Sequence, residues 1–182
     1  LLAASDTVTI TAFFNEGMTA TPTISISGTS ISNQEMSKIW AQVGADIDGE
    51  AAGDYSGSSV SFSSDGSRLA IGGYLNDGNG TDSGHVRIYD YNGSAWVQVG
   101  ADIDGEAAGD YSGWSVSLSS DGSRVAIGAY RNGSNGSGHV RIYQYNNNSW
   151  SQLGADIDGE AVQDQSGRSI SLSSDGSRVA IG

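Results

Sequence analysis

The chain has 182 residues and a formal net charge of −13, which allows one or two domains and argues against nucleic-acid binding, because phosphates attract Lys and Arg. It contains no cysteine, so disulfides and cysteine-ligated metals are excluded. No run of about 20 apolar residues is present, so we expect no membrane span in this sequence. The 27 glycines and single proline favour short strands joined by tight turns.

The first elements in chain order are predicted within residues 6–28. Apolar residues alternate with mostly threonine over 7–14, which predicts a strand with one buried face, and Pro22 precedes a second short strand at 23–27. The patterns T-V-T-I-T and P-T-I-S-I-S-G resemble the opening strands of bacterial immunoglobulin-like repeats. The resemblance implies a partial Ig-like segment and connector over 1–36. The alternative is a simple hairpin that covers the edge of the following sheet.

One segment then occurs three times. GADIDGEAAGDYSGWSVSLSSDGSRVAIG at 100–128 has copies at 44–72 and 154–182. Trp40, Trp96 and Trp150 mark the repeats and are spaced 56 and 54 residues apart. A repeat of this length is a supersecondary unit that buries its apolar faces against neighbouring copies.

Each repeat is predicted to form four antiparallel strands. Alternation of apolar and serine residues predicts the first strand of the middle copy, and Asp121-Gly122, a favoured type I′ pair, predicts the hairpin that follows it. Four strands per repeat without helical periodicity are typical of a propeller blade; the alternatives are one long twisted sheet or a β-solenoid. The predicted strands of the middle copy are 114–119, 124–130, 139–145 and 149–157.

The repeat G-D-Y-S-G-W-S-V-S-L-S-x-D-G-x-x-V-A-I-G-A resembles the FG-GAP type of β-propeller repeat, which builds the head of the integrin α-chain. The resemblance covers residues 37–182, with repeat starts near 40, 96 and 150. It implies an all-β fold with two whole blades at 58–103 and 114–157 and half a blade at 168–182. Because the sequence begins without Met and ends inside a repeat, we expect a longer chain whose other blades pack against these.

Four acidic positions recur in the loop of every repeat. Carboxylates two residues apart beside a glycine can converge on Ca²⁺, which takes six to eight oxygens; alternatively, the Asp residues form Asx-turns in a solvated loop. Calcium-binding FG-GAP repeats carry several Asp or Asn in the first hairpin. Here that hairpin, Ser63-Ser64-Asp65-Gly66 in the first copy, has one carboxylate, so the resemblance does not transfer that function. The candidate calcium ligands are Asp46, Asp48, Glu50, Asp54, Asp102, Asp104, Glu106, Asp110, Asp156, Asp158, Glu160 and Asp164.

The other polar and aromatic residues of the repeat are interpreted as structural. His85 and His139 recur in GHVRIY without a second His or Cys nearby, which is typical of strand-edge side chains rather than metal ligands. Arg87 and Arg141 are expected to pair with acidic neighbours. The aromatic side chains could line a carbohydrate surface, but their spacing favours packing between blades. These aromatic residues are Tyr89, Tyr91, Tyr143, Tyr145, Trp96, Trp114 and Trp150.

No catalytic motif of the G-x-S-x-G, P-loop or H-E-x-x-H type is present in the sequence. Near-identical tandem copies favour a non-enzymatic repeat protein, extracellular or at the cell surface, that binds protein or glycan or plays a structural role through its loops. The alternative is a fragment of a propeller-fold lyase or hydrolase whose active site lies in the missing chain, because fold alone does not exclude an enzyme.

Overall fold

The computed structural model describes residues 24–26, 29–31 and 42–182 except 134. The chain divides into two compact units, Leu1–Val43 and Gly44–Gly182. In the described part of the first unit, β1 (Ile24–Ile26) pairs antiparallel with β2 (Thr29–Ile31). β1 lies inside the predicted strand at 23–27. β2 lies where the sequence predicted a connector; three residues are too short a stretch to show a period-two pattern. The strand predicted at 7–14 falls outside the described residues, and the Ig-like segment stays a prediction.

The second unit consists of antiparallel sheets, and none of the residues described in 42–182 forms a helix. This confirms the all-β prediction and the four-stranded repeat, which fits a partial β-propeller. The strands of the first copy are β3 (Ser59–Phe62), β4 (Arg68–Gly73), β5 (His85–Tyr91), β6 (Trp96–Gln98) and β7 (Ile103–Asp104); those of the second are β8 (Ser115–Leu118), β9 (Arg124–Ala129), β10 (His139–Asn146), β11 (Ser149–Gln152) and β12 (Ile157–Asp158); those of the third are β13 (Ile170–Leu172) and β14 (Val179–Ile181).

The predicted fourth strand is interrupted in both complete sheets, which corrects the continuous strand expected at 149–157. The sheets run β3-β4-β5-β6 and β8-β9-β10-β11, and β7 and β12 pair farther along β5 and β10. Gly100 and Gly154 have φ of +77° and +82°. This left-handed backbone conformation interrupts the hydrogen-bonded pairing of the fourth strand with the third. The interruption places Asp102 and Asp156 in the gap between two strand segments.

The hairpin between the first two strands of each sheet differs from the predicted type I′ turn. Type I′ requires positive φ at both central residues. Gly122 has a φ of +67°, but Asp121 is not left-handed, and the backbone pairs Ser119 with Arg124 around a four-residue loop. The type I′ geometry occurs instead between β10 and β11, where Asn147 and Asn148 have φ of +50° and +62°.

Neighbouring sheets are held together by a shared apolar core and by serine hydrogen bonds. Val86 and Ile88 belong to the same buried cluster as Val125 and Ile127 of the next sheet. The first strands of successive copies lie side by side and are bonded through serine hydroxyls. The Oγ atoms of Ser59 and Ser115 donate to the carbonyls of Gly113 and Gly167 at 2.7 Å, and the N–H groups of Leu118 and Leu172 donate to the Oγ atoms of Ser61 and Ser117 at 2.9 Å.

The loop between the second and third strands is the part of the repeat that varies in length. It spans 74–84 in the first copy and 130–138 in the second, which is two residues shorter. This accounts for the difference between the two tryptophan spacings. The loop starts with Tyr74 or Tyr130 and ends directly before the histidine of the third strand.

Candidate functional site

The twelve predicted calcium ligands occupy different environments, and no loop gathers its own four acids at one point among the described residues. Asp46, Asp48, Asp104, Asp158 and Glu160 are exposed, whereas Asp54 and Asp110 are buried. Within the first loop, Asn76 Nδ2 donates to Glu50 Oε2 at 3.3 Å and to Asp54 Oδ2 at 2.9 Å. The two groups of acids that gather around a histidine combine residues of consecutive loops. Calcium binding by these loops therefore stays a prediction.

The last acid of each loop bonds to its own loop. Its carboxylate accepts a hydrogen bond from the main-chain N–H three residues earlier, a local side-chain-to-backbone contact that satisfies the turn. This supports the turn-forming alternative at that position. The distances are 3.1 Å from Ala51 N to Asp54 Oδ2, 2.8 Å from Ala107 N to Asp110 Oδ2 and 2.6 Å from Ala161 N to Asp164 Oδ2.

His85 and two carboxylates from successive loops form the first three-residue cluster. His85 begins β5 and is only 1% exposed. Its Nδ1 lies 3.7 Å from Glu50 Oε2 and 3.5 Å from Asp102 Oδ2. Both distances exceed those of a normal hydrogen bond, and this buried Nδ1 has no hydrogen-bond partner.

The second copy repeats this cluster. His139 begins β10 and is also 1% exposed. Its Nδ1 lies 3.8 Å from Glu106 Oε2 and 3.5 Å from Asp156 Oδ2, and it likewise has no hydrogen-bond partner. Burial lowers the pKa of the His139 imidazole; Arg141 adds to this effect, while Asp156 and Glu106 oppose it. The structure corrects the interpretation of both histidines as strand-edge side chains, because they lie in central strands and are buried against acidic side chains. That they are not metal ligands was a prediction that no contact here tests.

The two interrupted strands hold the aspartates of these clusters. Oδ1 of Asp102 accepts a hydrogen bond from Gln98 Nε2 at 2.5 Å, and Oδ1 of Asp156 accepts one from Gln152 Nε2 at 2.6 Å. The other carboxylate oxygen, Oδ2, faces the histidine. Asp104 pairs with His85 across the β5–β7 ladder; desolvation and the neighbouring Asp102 carboxylate raise its pKa, and His85 lowers it.

Arg87 and Arg141, the arginines of the two GHVRIY segments, lie beside the clusters. Arg87 Nη2 donates to the main-chain oxygen of Asp48 at 2.7 Å, and Arg141 Nη2 donates to that of Asp104 at 2.8 Å. Arg141 Nη1 is also 3.5 Å from Glu106 Oε1, which confirms the predicted acidic pairing for this arginine. The arginines anchor the acidic loops to the third strands.

A second feature is a row of aromatic side chains that runs across the loops of both repeats. We call Tyr55, Tyr74, Tyr111, Trp114 and Tyr130 the aromatic row. Tyr55 is 62% exposed and the other four are partly exposed. Neighbouring ring centroids in the row lie 4.7–5.8 Å apart.

Two arginines extend the aromatic row at one end. The guanidinium carbon of Arg131 lies 4.8 Å from the ring centre of Tyr111, and that of Arg168 lies 5.5 Å from the ring centre of Tyr130. These distances are within the range of cation–π contacts. A cleft of about 610 Å³ adjoins this end and is lined in part by Tyr130, Arg131 and Ala108.

The sequence identified only Trp114 of this row as an aromatic residue of interest. Tyr55 and Tyr111 have φ of +54° and +59°, so their rings are placed by loop conformations that show no periodic pattern. The predicted packing between blades is confirmed for Tyr143 and Trp150, which join the core shared by both sheets. Tyr89 and Trp96 instead pack in a separate cluster with Ile47, Leu69 and Ile71 of the first copy. The repetition of G-D-Y-S-G was the signal that could have identified the two tyrosines.

Comparison with known families supports the blade assignment for one repeat. The family model described as FG-GAP repeat matches residues 101–143, which include β7 to β9 and the first part of β10. No curated protein matches the chain. None of the described residues belongs to a helix with the length and apolarity needed to cross a membrane. The chain thus contains an FG-GAP repeat within an all-β unit of stacked antiparallel sheets.

Proposed function

We propose that this is a non-enzymatic, extracellular or cell-surface repeat protein that binds a protein or glycan ligand through its aromatic row. The row itself is the observation that carries the proposal. Tyr, Trp and Arg dominate the binding energy of many interfaces, because they supply large contact area with few rotatable bonds. The proposed location is supported by the FG-GAP repeat, since such repeats typically occur in extracellular or cell-surface proteins.

The geometry of the row favours an extended ligand with a repeating structure. Tyr55 and Tyr111 occupy equivalent positions in consecutive copies, and Tyr74 lies 5.5 Å from each of them, measured between ring centres. A ligand lying along the row would therefore meet equivalent tyrosines in the first two copies. Such repeated contacts raise overall affinity without requiring strong binding at each point.

Binding can be tested with the labelled chain on arrays of immobilised glycans and of extracellular-matrix proteins. We expect binding to at least one class, and we expect the double variant Tyr55→Ala with Tyr111→Ala to lose at least about tenfold in affinity, since hot-spot aromatic truncations cost 2 kcal/mol or more. Phenylalanine at the same two positions should retain most of the affinity because it preserves the ring faces.

Phe62→Ala is the matched control, because Phe62 is an exposed aromatic residue of β3 outside the row. Equal loss of binding in this control and in the tyrosine variant would contradict the role of the row. Bound glycan recovered from the complex should be chemically unchanged by mass spectrometry. Hydrolysed or eliminated product would instead favour the lyase or hydrolase alternative.

A further inference from the structure

The two histidine clusters share one geometry at equivalent positions of consecutive repeats. Each combines a buried imidazole, the Glu of one acidic loop and the first Asp of the next loop. The three ligand atoms of each cluster lie within 4.8 Å of one another. Glu50 is 47% exposed and Asp102 25%, so the cluster is open to solvent on its carboxylate side.

The buried Nδ1 atoms require a partner that the described residues do not supply. A polar atom buried without a hydrogen bond costs free energy, and both Nδ1 atoms are in this state. Each faces two carboxylate oxygens at 3.5–3.8 Å. The space between them can therefore hold an additional atom that bonds to all three groups.

The distances fit a tetrahedral cation. Ligand atoms placed 2.0–2.1 Å from zinc at the corners of a tetrahedron are separated by about 3.3–3.4 Å. The measured separations of 3.5–3.8 Å between Nδ1 and the carboxylate oxygens are a few tenths of an ångström longer. Small side-chain rotations of Glu50 and Asp102 would close this difference.

The donor types distinguish between classes of cation. Calcium takes six to eight oxygen ligands, whereas imidazole nitrogen is a usual ligand of zinc and related transition metals. One imidazole and two carboxylates leave a fourth position for water, as in three-ligand zinc sites. Arg141 adds positive charge near the second cluster, but Glu106 and Asp156 together with an uncharged imidazole still carry two negative charges.

We propose that Glu50, His85 and Asp102, and likewise Glu106, His139 and Asp156, form two zinc-type divalent metal sites, each joining the acidic loops of consecutive repeats. Each metal would connect residues from one loop, the third strand of the sheet and the following loop. This inference is independent of the proposed ligand binding, because no residue of the aromatic row takes part.

Titration calorimetry of the untagged 182-residue chain with Zn²⁺ tests the proposal. We expect two Zn²⁺ per chain, one for each cluster. His85→Gln and His139→Gln should each reduce the stoichiometry to one, and the double variant should bind none. Millimolar Ca²⁺ should not displace the zinc. The matched control is Glu160→Gln, because Glu160 occupies the position of Glu50 and Glu106 but the sequence contains only two histidines, both used elsewhere.

The carboxylate variants keep the test decisive if a histidine variant does not fold. Glu50→Gln and Asp102→Asn change partly exposed side chains and should weaken zinc binding at the first site by at least about 10- to 100-fold while leaving the second site intact. The ¹⁵N resonances of both Nδ1 atoms should shift on Zn²⁺ addition. Absence of zinc binding, unchanged stoichiometry in the double histidine variant, unshifted Nδ1 resonances, or displacement by calcium would each overturn the proposal.

Discussion

Single aspartates organise the hairpins between the first two strands of each sheet. Asp65 accepts hydrogen bonds from the Ser67 N–H at 2.9 Å and the Ser63 hydroxyl at 2.7 Å. These hydrogen bonds lower the pKa of Asp65 to about 2, and the bond from the Ser67 backbone N–H has the largest effect. In the third copy, bonds from Ser173 and then Ser177 lower the pKa of Asp175 to about 2, and the pKa of Asp121 is lowered by Ser119 and Ser123.

This arrangement predicts a loss of stability in acid. A carboxylate whose pKa is lower in the folded state stabilises the fold above its unfolded pKa of about 3.9, and that stabilisation disappears as pH falls through the folded value. We therefore expect the melting temperature to fall between about pH 4 and pH 2. The triple Asn variant at Asp65, Asp121 and Asp175 should show a shallower fall, because the amide oxygen accepts the same bonds without titrating.

Thermal melts followed by circular dichroism across this pH range provide the measurement. Asp46→Asn, Asp158→Asn and Glu160→Gln together form the control, since they remove the same charge from exposed positions outside the hairpins. If the control flattens the pH dependence as much as the hairpin variant does, general charge repulsion rather than the hairpin bonds explains the acid sensitivity.

At the scale of single residues, the sequence identified the acidic side chains as candidate metal ligands, but it did not show which of them lie together in the fold. Repetition identified Glu50 and Asp102 as candidate ligands, yet it assigned each to the cluster of its own loop. The partner of both is His85, and the interruption of the fourth strand places Asp102 beside it. Local patterns carry no information about contacts between consecutive copies, so the three-residue clusters could be found only in the folded chain.

At the scale of strands, close contact between sheets depends on glycine at the end of A-I-G. Gly72 and Gly128 lie in β4 and β9, where the backbone of the next copy comes against the strand. A Cβ atom at Gly128 would overlap the carbonyl oxygen of Gly167 and the Oγ of Ser115. The same serine donates to that carbonyl, so the contact is both tight and hydrogen-bonded.

We predict that Gly128→Ala destabilises the fold by about 1–3 kcal/mol, the usual range for overpacking. Gly73→Ala is the matched control: Ala129 occupies the equivalent position of the second copy and is fully buried there, so a methyl group fits against the histidine ring. Its effect should stay within about 1 kcal/mol. Urea unfolding would measure both. Equal destabilisation of the two variants would show that loss of glycine, rather than contact with the next sheet, is responsible.

Strand positions were largely predictable because short runs rich in apolar residues, bounded by turn residues, indicate strands. The predicted second strand at 124–130 and third strand at 139–145 differ from β9 and β10 by one residue each. The prediction of a continuous fourth strand was wrong because the positive φ of Gly154 depends on pairing with β10 on both sides of the gap. Glycine is compatible with an ordinary strand as well, so its presence did not identify the break.

For the molecule as a whole, the protection of backbone amides from hydrogen exchange should increase with the number of sheets that pack against a strand. β9 is buried along five of its six residues and lies in the sheet between the first and third copies, whereas β13 and β14 contain no fully buried residue. Hydrogen exchange of a monomeric sample should therefore be slowest in β9 and β10 and faster in β13 and β14. Equal exchange rates in the two regions would contradict stability through stacking of sheets.

The loop between the second and third strands is where the repeat can change length without disturbing its neighbours. Serine bonds and glycine contacts fix the spacing between sheets, so a length change near them would disrupt two repeats at once. The two-residue difference between the copies lies wholly in the 74–84 and 130–138 loops, next to Tyr74 and Tyr130. Doubling a flexible loop costs only about 0.6 kcal/mol in closure entropy. A change of length there would alter the rim of the aromatic row, and thereby the range of ligands for the proposed binding, without disturbing the contacts between sheets.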